Sequence, residues 1–315
     1  MKKNKLFLVI IFILGCSLLF GQHDDAGTTG FAFMKMNYSA RAMGMANAFT
    51  ALSDDVEAVF FNPAGLAQRD DKQIKTTYMN YLEGLQGGSI VYVMNYGNGW
   101  RIAPFLNFLA SDDIPRMIET SPGVGQQFGT FNTLSLVAGV GFATTISEYF
   151  DVGFNLKYFH ESLDSHSAAA FAGDFSVLHT TTNENLKIGA VLRNLGVQTD
   201  YFSDNEYEEG MPLTIIAAAS YKILDKAFIN FDLVRPFDND FFGRFGAEFY
   251  YNSYFTIRAG VDTRMNDYKT DESMDFLSGL NFGLGFNWNS YMIDYAISSM
   301  GSLGFVNQIS VGYVF

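Results

Sequence analysis

Between positions 160 and 166 the chain reads His160-Glu161-Ser162-Leu163-Asp164-Ser165-His166, a run that gathers hydroxyls, imidazoles and carboxylates. A serine becomes a nucleophile when a histidine takes its proton and an acid orients that histidine. The only other histidines are His23 and His179, so a Ser-His-acid centre would have to be built here. Serine and aspartate are also ordinary turn residues. No enzymatic activity is expected from so local a cluster. The same residues lack the spacing of a recognised metal site, so neither a metal nor another cofactor is expected. Asp204, Glu206, Glu208 and Glu209 would draw calcium or magnesium only loosely and read as a solvated acidic loop.

The elements on either side of that run are strands. From about Lys72 onward, fourteen segments alternate with period two, near 73–81, 88–96, 99–110, 130–146, 150–160, 167–180, 185–197, 213–224, 226–235, 240–251, 254–264, 279–288, 290–298 and 304–315. Their connections sort by length. Those around Gly97-Asn98-Gly99, Ser147-Glu148, Thr182-Asn183, Leu224-Asp225, Asn252-Ser253 and Asn289 are tight. Ser111 to Gly129, Gln198 to Pro212 and Met265 to Gly279 are the longest of the others. Short turns on one side and long loops on the other are the signature of an antiparallel transmembrane barrel whose two ends face different compartments. The fold class is therefore all-β, a fourteen-stranded antiparallel transmembrane β-barrel.

Composition agrees. Aromatic residues make up 16% and charged residues only 17%, with 32 Phe and 17 Tyr, and no later apolar run reaches the length of a membrane helix. Lys2, Lys3 and Lys5 followed by apolar Leu6 to Phe20 read as a signal peptide over 1–21, ending at Gly21. The competing reading, acylation at Cys16, is disfavoured by bulky Leu14 and by the continuing apolar run. With the signal gone, no thiol remains. A net charge of −13 excludes nucleic acid as a partner, because phosphate contacts need clustered lysine and arginine.

Faces follow from alternation. In Leu280-Asn281-Phe282-Gly283-Leu284-Gly285-Phe286-Asn287-Trp288 the large apolar residues face lipid and the small or polar ones face in. Val152, Phe154, Leu156 and Tyr158 likewise face out, with Asp151, Asn155 and Lys157 inward, and Leu186, Ile188, Ala190 and Leu192 face out against Lys187, Gly189 and Arg193. The inferred interior holds Lys157, Lys187, Arg193, Lys222, Arg244 and Arg258 against Asp151, Asp232, Glu248, Asp262 and Asp294, a set that reads as a lumen ion-pair network. Inward positions are expected to be mainly Gly, Asn, Ser and charged residues, which argues against a greasy conduit. The chain ends on Ile309, Val311, Tyr313 and Phe315, all on one face, opposite Ser310 and Gly312.

A barrel of this size encloses more space than its own side chains fill. The filler is the segment 22–71, ahead of the strand region 72–315. Its stretch Gly27 to Gln68 lacks alternation and is rich in Ala, Gly and Met. Ser53 with Val56 to Phe61 reads as a capped short helix, and Asn62-Pro63 as a second cap with proline in the first helical position. Arg41 is expected to pair with inward carboxylates and lock this plug. Phe31, Phe33, Met34, Met36, Met43 and Met45 read as packing filler, with a pocket lining as the alternative.

Two resemblances follow from these residues. The terminal Ile309, Val311, Tyr313 and Phe315 resemble the insertion signal read by the barrel assembly machinery, which implies placement as a multi-pass protein in the bacterial outer membrane with its lipid as surroundings. The pattern from Gly27-Thr28-Thr29-Gly30-Phe31 through Ser39 to Met45, with Arg41 and Gly44, to Asp54-Asp55 and Asn62-Pro63-Ala64-Gly65 resembles the PorV/PorQ family, itself related to FadL-like transporters. That resemblance implies a FadL-like barrel and a non-enzymatic role in type IX secretion, with secretion components and cargo C-terminal signals as partners, recognised by Ser111 to Gly129 and Gln198 to Pro212. The alternative is a FadL-like channel for hydrophobic small molecules.

Overall fold

The alternation after residue 72 closes into one antiparallel barrel. The computed structural model describes residues 27–121, 123–202, 209–268, 270 and 272–315. The expected signal segment with Cys16, then His23, and Asp204, Glu206 and Glu208 of the acidic loop lie outside the described residues.

The strands are β1 (Gln73–Asn80), β2 (Gln86–Tyr96), β3 (Trp100–Ala110), β4 (Ile114–Ser121), β5 (Val124–Phe131), β6 (Thr133–Ser147), β7 (Phe150–Leu163), β8 (His166–Thr180), β9 (Leu186–Asp200), β10 (Thr214–Leu224), β11 (Ala227–Pro236), β12 (Phe242–Tyr250), β13 (Phe255–Asp262), β14 (Leu280–Trp288), β15 (Tyr291–Ser299) and β16 (Phe305–Val314). Fourteen form the closed barrel, and β4 and β5 pair only with each other. Closure joins β1 to β16, from Gln73 opposite Val314 to Asn80 opposite Asn307. Closing the sheet leaves no free edge in the barrel wall.

Ser111 to Gly129, expected as a loop, instead folds largely into the β4–β5 hairpin above the long-loop rim. Its apolar residues Met117, Ile118, Val124 and Phe128 are all exposed, so it has no alternating buried face for the sequence to show, and Arg116 ties it to Asp164.

Faces divide as expected. Phe282, Leu284 and Trp288 are exposed while Asn281 is buried, and on β16 Ile309 and Val311 are exposed while Ser310 is buried. Tyr96, Trp100, Tyr149, Phe150, Tyr251, Tyr254, Trp288 and Tyr291 cluster at the short-turn rim and are exposed, the aromatic girdle of an outer-membrane-type barrel. One departure lies at β8–β9. Partners run from Gly173 opposite Leu195 directly to Phe175 opposite Leu192, so Arg193 and Asn194 together oppose Asp174. Asn194 takes φ 61°, and its N–H donates to Asp174 Oδ1 (2.9 Å) instead of continuing the ladder. This is a β-bulge, a device that re-aims side chains locally.

The segment before β1 fills the lumen, with short helices at Ala40–Met43, Ala58–Phe61 and Pro63–Gln68. Its outer end is pinned to the long-loop rim, where Gly30 N–H donates to Gly210 O (3.1 Å) and Thr29 Oγ1 to Asp238 Oδ2 (2.6 Å). Lys35 pairs with the same carboxylate. Burial alone would raise the Asp238 carboxyl, but Lys35 and Thr29 hold it below the usual carboxylate range.

The expected serine cap does not form. Ser53 returns its hydroxyl to Phe49 O (2.9 Å), and the helix starts later, after Asp55 Oδ1 has accepted the Glu57 N–H (2.9 Å). Asn62 does cap as expected, accepting from Ala64 N–H (3.2 Å) with Pro63 next in the chain.

Wall glycines let the plug backbone touch the barrel. A Cβ on Gly153 would sit 2.3 Å from Ala64 N and 2.5 Å from Pro63 C, both backbone atoms that have nowhere to go. Gly153→Val is expected to lift the Asn62-Pro63-Ala64 turn off the wall at a cost of about 1–3 kcal/mol. Thermal melting in detergent reads the loss, and an unchanged midpoint would contradict this seating.

Candidate functional site

Small side chains at Ala40, Ala42 and Gly44 bring the first plug helix against the wall, and this places Arg41 where barrel carboxylates converge. A Cβ on Gly44 would lie 2.8 Å from Gly283 Cα. Arg41 donates to both oxygens of Glu248 (2.9 and 2.8 Å) and pairs with Asp54 (2.7 Å) and Asp55 (3.1 Å). Arg258 links Glu248 (2.6 Å) to Asp294 (2.7 Å). Lys75 reaches Asp294 (3.0 Å), Glu57 (2.6 Å) and Asp55 (3.5 Å). Glu57 also accepts from Ser39 Oγ (2.6 Å) and Thr77 Oγ1 (3.1 Å). Three cations therefore tie five carboxylates across the plug, β1, β12, β13 and β15.

The C-terminal strand joins this network from its inner face, since Ser310 Oγ accepts from Ala40 N–H (3.0 Å). Ile309 and Val311 stand on the opposite, outward face, with Tyr313 and Phe315 stacked edge to face, 5.0 Å between centroids. Gly65 is buried where a Cβ would meet Ser53 O at 2.1 Å, and Asn62 Nδ2 also donates to Thr50 O (2.9 Å). Of the residues singled out in the sequence, Arg41, Asp54 and Asp55 meet in one network. Asn62, Pro63 and Gly65 form a separate turn.

Sequence reasoning missed Lys75, Glu57 and Asp174. Lys75 had a signal, because it alternates with Ile74 and Thr76 at an inward position of β1. Asp174 holds Lys157 (2.5 Å) and accepts from Asn155 Nδ2 (2.8 Å).

Beside that pair the lumen is not polar, which corrects the expected inward face. Phe105, Val137 and Phe159 point in from β3, β6 and β7 and pack with Phe31, Phe33, Val59 and the partly buried Phe60 of the plug. Phe105 and Phe60 meet edge to face at 5.5 Å. Alternation could not assign Phe105 and Val137 because each lies next to another large apolar residue, as in Phe105-Leu106 and Leu136-Val137, whereas Phe159 continues the inward face of Asn155 and Lys157.

Concavities among the described residues follow from this packing. A cavity of about 270 Å³ near the long-loop rim is lined by Lys35, Met36, Met43, Met79, Arg244, Asp262, Arg264 and Gln308, among others. A tighter one of about 40 Å³ lies between Phe33, Met34, Met36, Tyr38, Phe60, Phe105, Asn107 and Lys157. On the wall, an open apolar groove of about 650 Å³ runs over Ala138, Val140, Leu156, Tyr158, Phe171 and Leu195, and Phe105 and Lys157 border it as well. Four of the residues foreseen as filler, Phe33, Met34, Met36 and Met43, thus line cavities. Met45 is packed core.

The Ser-His-Asp run assembles nothing. The His166 ring nitrogen meets Ser165 Oγ (3.3 Å), and Asp164 pairs with Arg116 of the hairpin. Among the described residues no group of three or more His, Cys, Asp or Glu is placed to hold a metal ion.

Fold and lumen together define a plugged, closed fourteen-stranded antiparallel barrel. It is similar to the Pseudomonas putida toluene transporter TodX (13% identity, 88% of this chain and 96% of that one, TM-score 0.62). It is also similar to the CymD monoaromatic hydrocarbon channel (13%, 89% and 98%, TM-score 0.61) and to a Pseudomonas aeruginosa FadL homologue (11%, 88% and 98%, TM-score 0.52). At such identities the likeness is one of fold. No family model and no curated protein sequence matches the chain.

Proposed function

We propose that the protein is a non-enzymatic outer-membrane channel that admits small apolar molecules through its wall. The observation that carries this reading is the position of Phe105 and Lys157, which border both the lumen cavity and the membrane-facing groove. A solute dissolved in the bilayer would settle in the apolar groove and need to pass only one layer of wall. The ladder from β3 through β6 to β7 is continuous at Phe105, Gly139 and Lys157, so the passage is closed at rest. The weak point is adjacent, because the groove ends at Ala172 and Leu195 beside the Asp174 bulge. The solved barrels of the same fold that carry toluene and monoaromatic hydrocarbons support the same solute class.

The test is uptake of radiolabelled toluene and of a polar sugar by vesicles carrying the purified barrel. Toluene flux above that of empty vesicles, with no gain for the sugar, is expected. Equal flux with and without protein would end the reading.

A second reading, a type IX secretion component of the PorV/PorQ kind, draws on the plug pattern and on the β4–β5 hairpin. Among the described residues that hairpin has no strand neighbour on either side, and an extended cargo segment adds readily to such an edge. Pull-down from the native membrane would favour it if secreted proteins sharing a C-terminal signal were recovered. In either case outer-membrane lipid and the barrel assembly machinery are the proposed surroundings.

A further inference from the structure

We infer that the lumen cavity behind Phe105 is a binding site for small neutral molecules that join an aromatic body to one hydroxyl, the phenol class. This rests on the small-molecule reading above and narrows it.

The apolar part of the site is aromatic on several sides, with Phe33, Phe60, Phe105 and Phe159 around it. Edge-to-face contact is what such rings offer a flat aromatic guest. The ions at the cavity are already satisfied. Lys157 is held by Asp174 and by Asn194 Oδ1 (both 2.5 Å), and Arg193 donates to Phe61 O (2.5 Å). An anionic guest would meet Lys157 already neutralised by Asp174 and Arg193 bound to a backbone carbonyl, and would lose its own hydration.

Two residues of the lining carry polar atoms that are different. Tyr38 Oη and Asn107 Oδ1 are buried, and neither has a hydrogen-bond partner among the described residues. Tyr38 is only 2% exposed and Asn107 9%. Buried polar groups are nearly always paired, so each calls for a partner from outside the chain. One hydroxyl meets both needs, since it donates once and accepts as well. It would donate to Asn107 Oδ1 and accept from the Tyr38 hydroxyl, while the ring lies among the phenylalanines. A third unpaired atom, Asn155 Oδ1, faces the backbone at Gly141, where an added Cβ would lie 2.8 Å away, and is not needed for this arrangement.

At about 40 Å³ the cavity must widen to take a ring. Met34 and Met36 line it, and unbranched methionine side chains repack at low cost.

The measurement is equilibrium dialysis of the purified barrel in detergent against protein-free micelles, using p-cresol and p-xylene, which differ by a hydroxyl in place of a methyl group, with p-toluate as the anionic probe. p-Cresol should bind roughly tenfold or more tightly than p-xylene, because the hydrocarbon leaves both polar atoms unpaired. p-Toluate should not bind detectably. Tyr38→Phe, which keeps the ring and its packing, and Asn107→Leu should each draw p-cresol toward p-xylene while leaving p-xylene unchanged. Equal binding of the two probes by the unmodified protein overturns the inference and leaves the hydrocarbon reading standing. A preference that survives Tyr38→Phe in a protein of unchanged melting also overturns it. Binding of neither probe removes the small-molecule reading itself.

Discussion

Phe105→Ala is expected to raise the flux of toluene into barrel-containing vesicles several-fold, and Phe105→Trp to lower it. The ring of Phe105 lies over Gly139, whose added Cβ would come within 2.3 Å of it, so the aromatic side chain covers the inner face of the wall there. On its other side it braces Phe60 of the plug. Removing it enlarges the lumen cavity toward the groove and detaches the wall from the plug at the same place. The neighbouring backbone is already weakened. Pro104 has no N–H to give, and the β2–β3 pairing skips from Val91 opposite Phe105 to Met94 opposite Ile102. A Phe to Ala change in a packed interior costs about 3–5 kcal/mol, so the alanine variant should also melt earlier. The tryptophan variant separates the two effects, because it keeps the site filled while narrowing the path. Equal flux from all three proteins would show that solutes do not pass Phe105.

Arg41→Ala should have the largest effect on stability. The guanidinium is 7% exposed and holds Glu248, Asp54 and Asp55 together, with its face over the Phe49 ring at 5.1 Å. Removing one member of a buried ion network leaves its partners charged and uncompensated, at a cost of about 3–5 kcal/mol. Here the loss falls on the seam between plug and wall, and the strand ladder itself is untouched. Melting in detergent should fall, and the plug should become open to protease while the barrel stays intact. Arg41→Lys keeps the charge but not the two-pronged bond to Glu248, and should fall between. An unchanged melting curve and an unchanged cleavage pattern for Arg41→Ala would mean that the network does not hold the plug.

The two changes separate what could be read along the chain from what could not. The pairing of Arg41 with carboxylates was legible because an arginine amid alanine, glycine and methionine, in a segment without alternation, must seek carboxylates if that segment is enclosed. Phe105 was not legible. Its neighbour Leu106 is also large and apolar, so period two does not tell which of them faces the lumen. The β4–β5 hairpin escaped for a related reason: its apolar side chains are exposed, and a strand without a buried face leaves no regular alternation.

The number of barrel strands, the short-turn and long-loop rims, most of the lipid faces and the existence of a plug follow from the sequence alone. Each depends on neighbours two to fifteen positions apart, and alternation reports the environment of a strand directly. Which charges meet is another matter. Lys75 finds Asp294 and Arg41 finds Glu248 across more than two hundred positions, and these pairings depend on the stagger of the closed ladder and on how deep the plug sits. The bulge opposite Asp174 and the groove beside it depend on the same stagger. Alternation is unchanged when a strand slides by two residues, so only the closed barrel decides which side chains share the lumen and where its wall is thin.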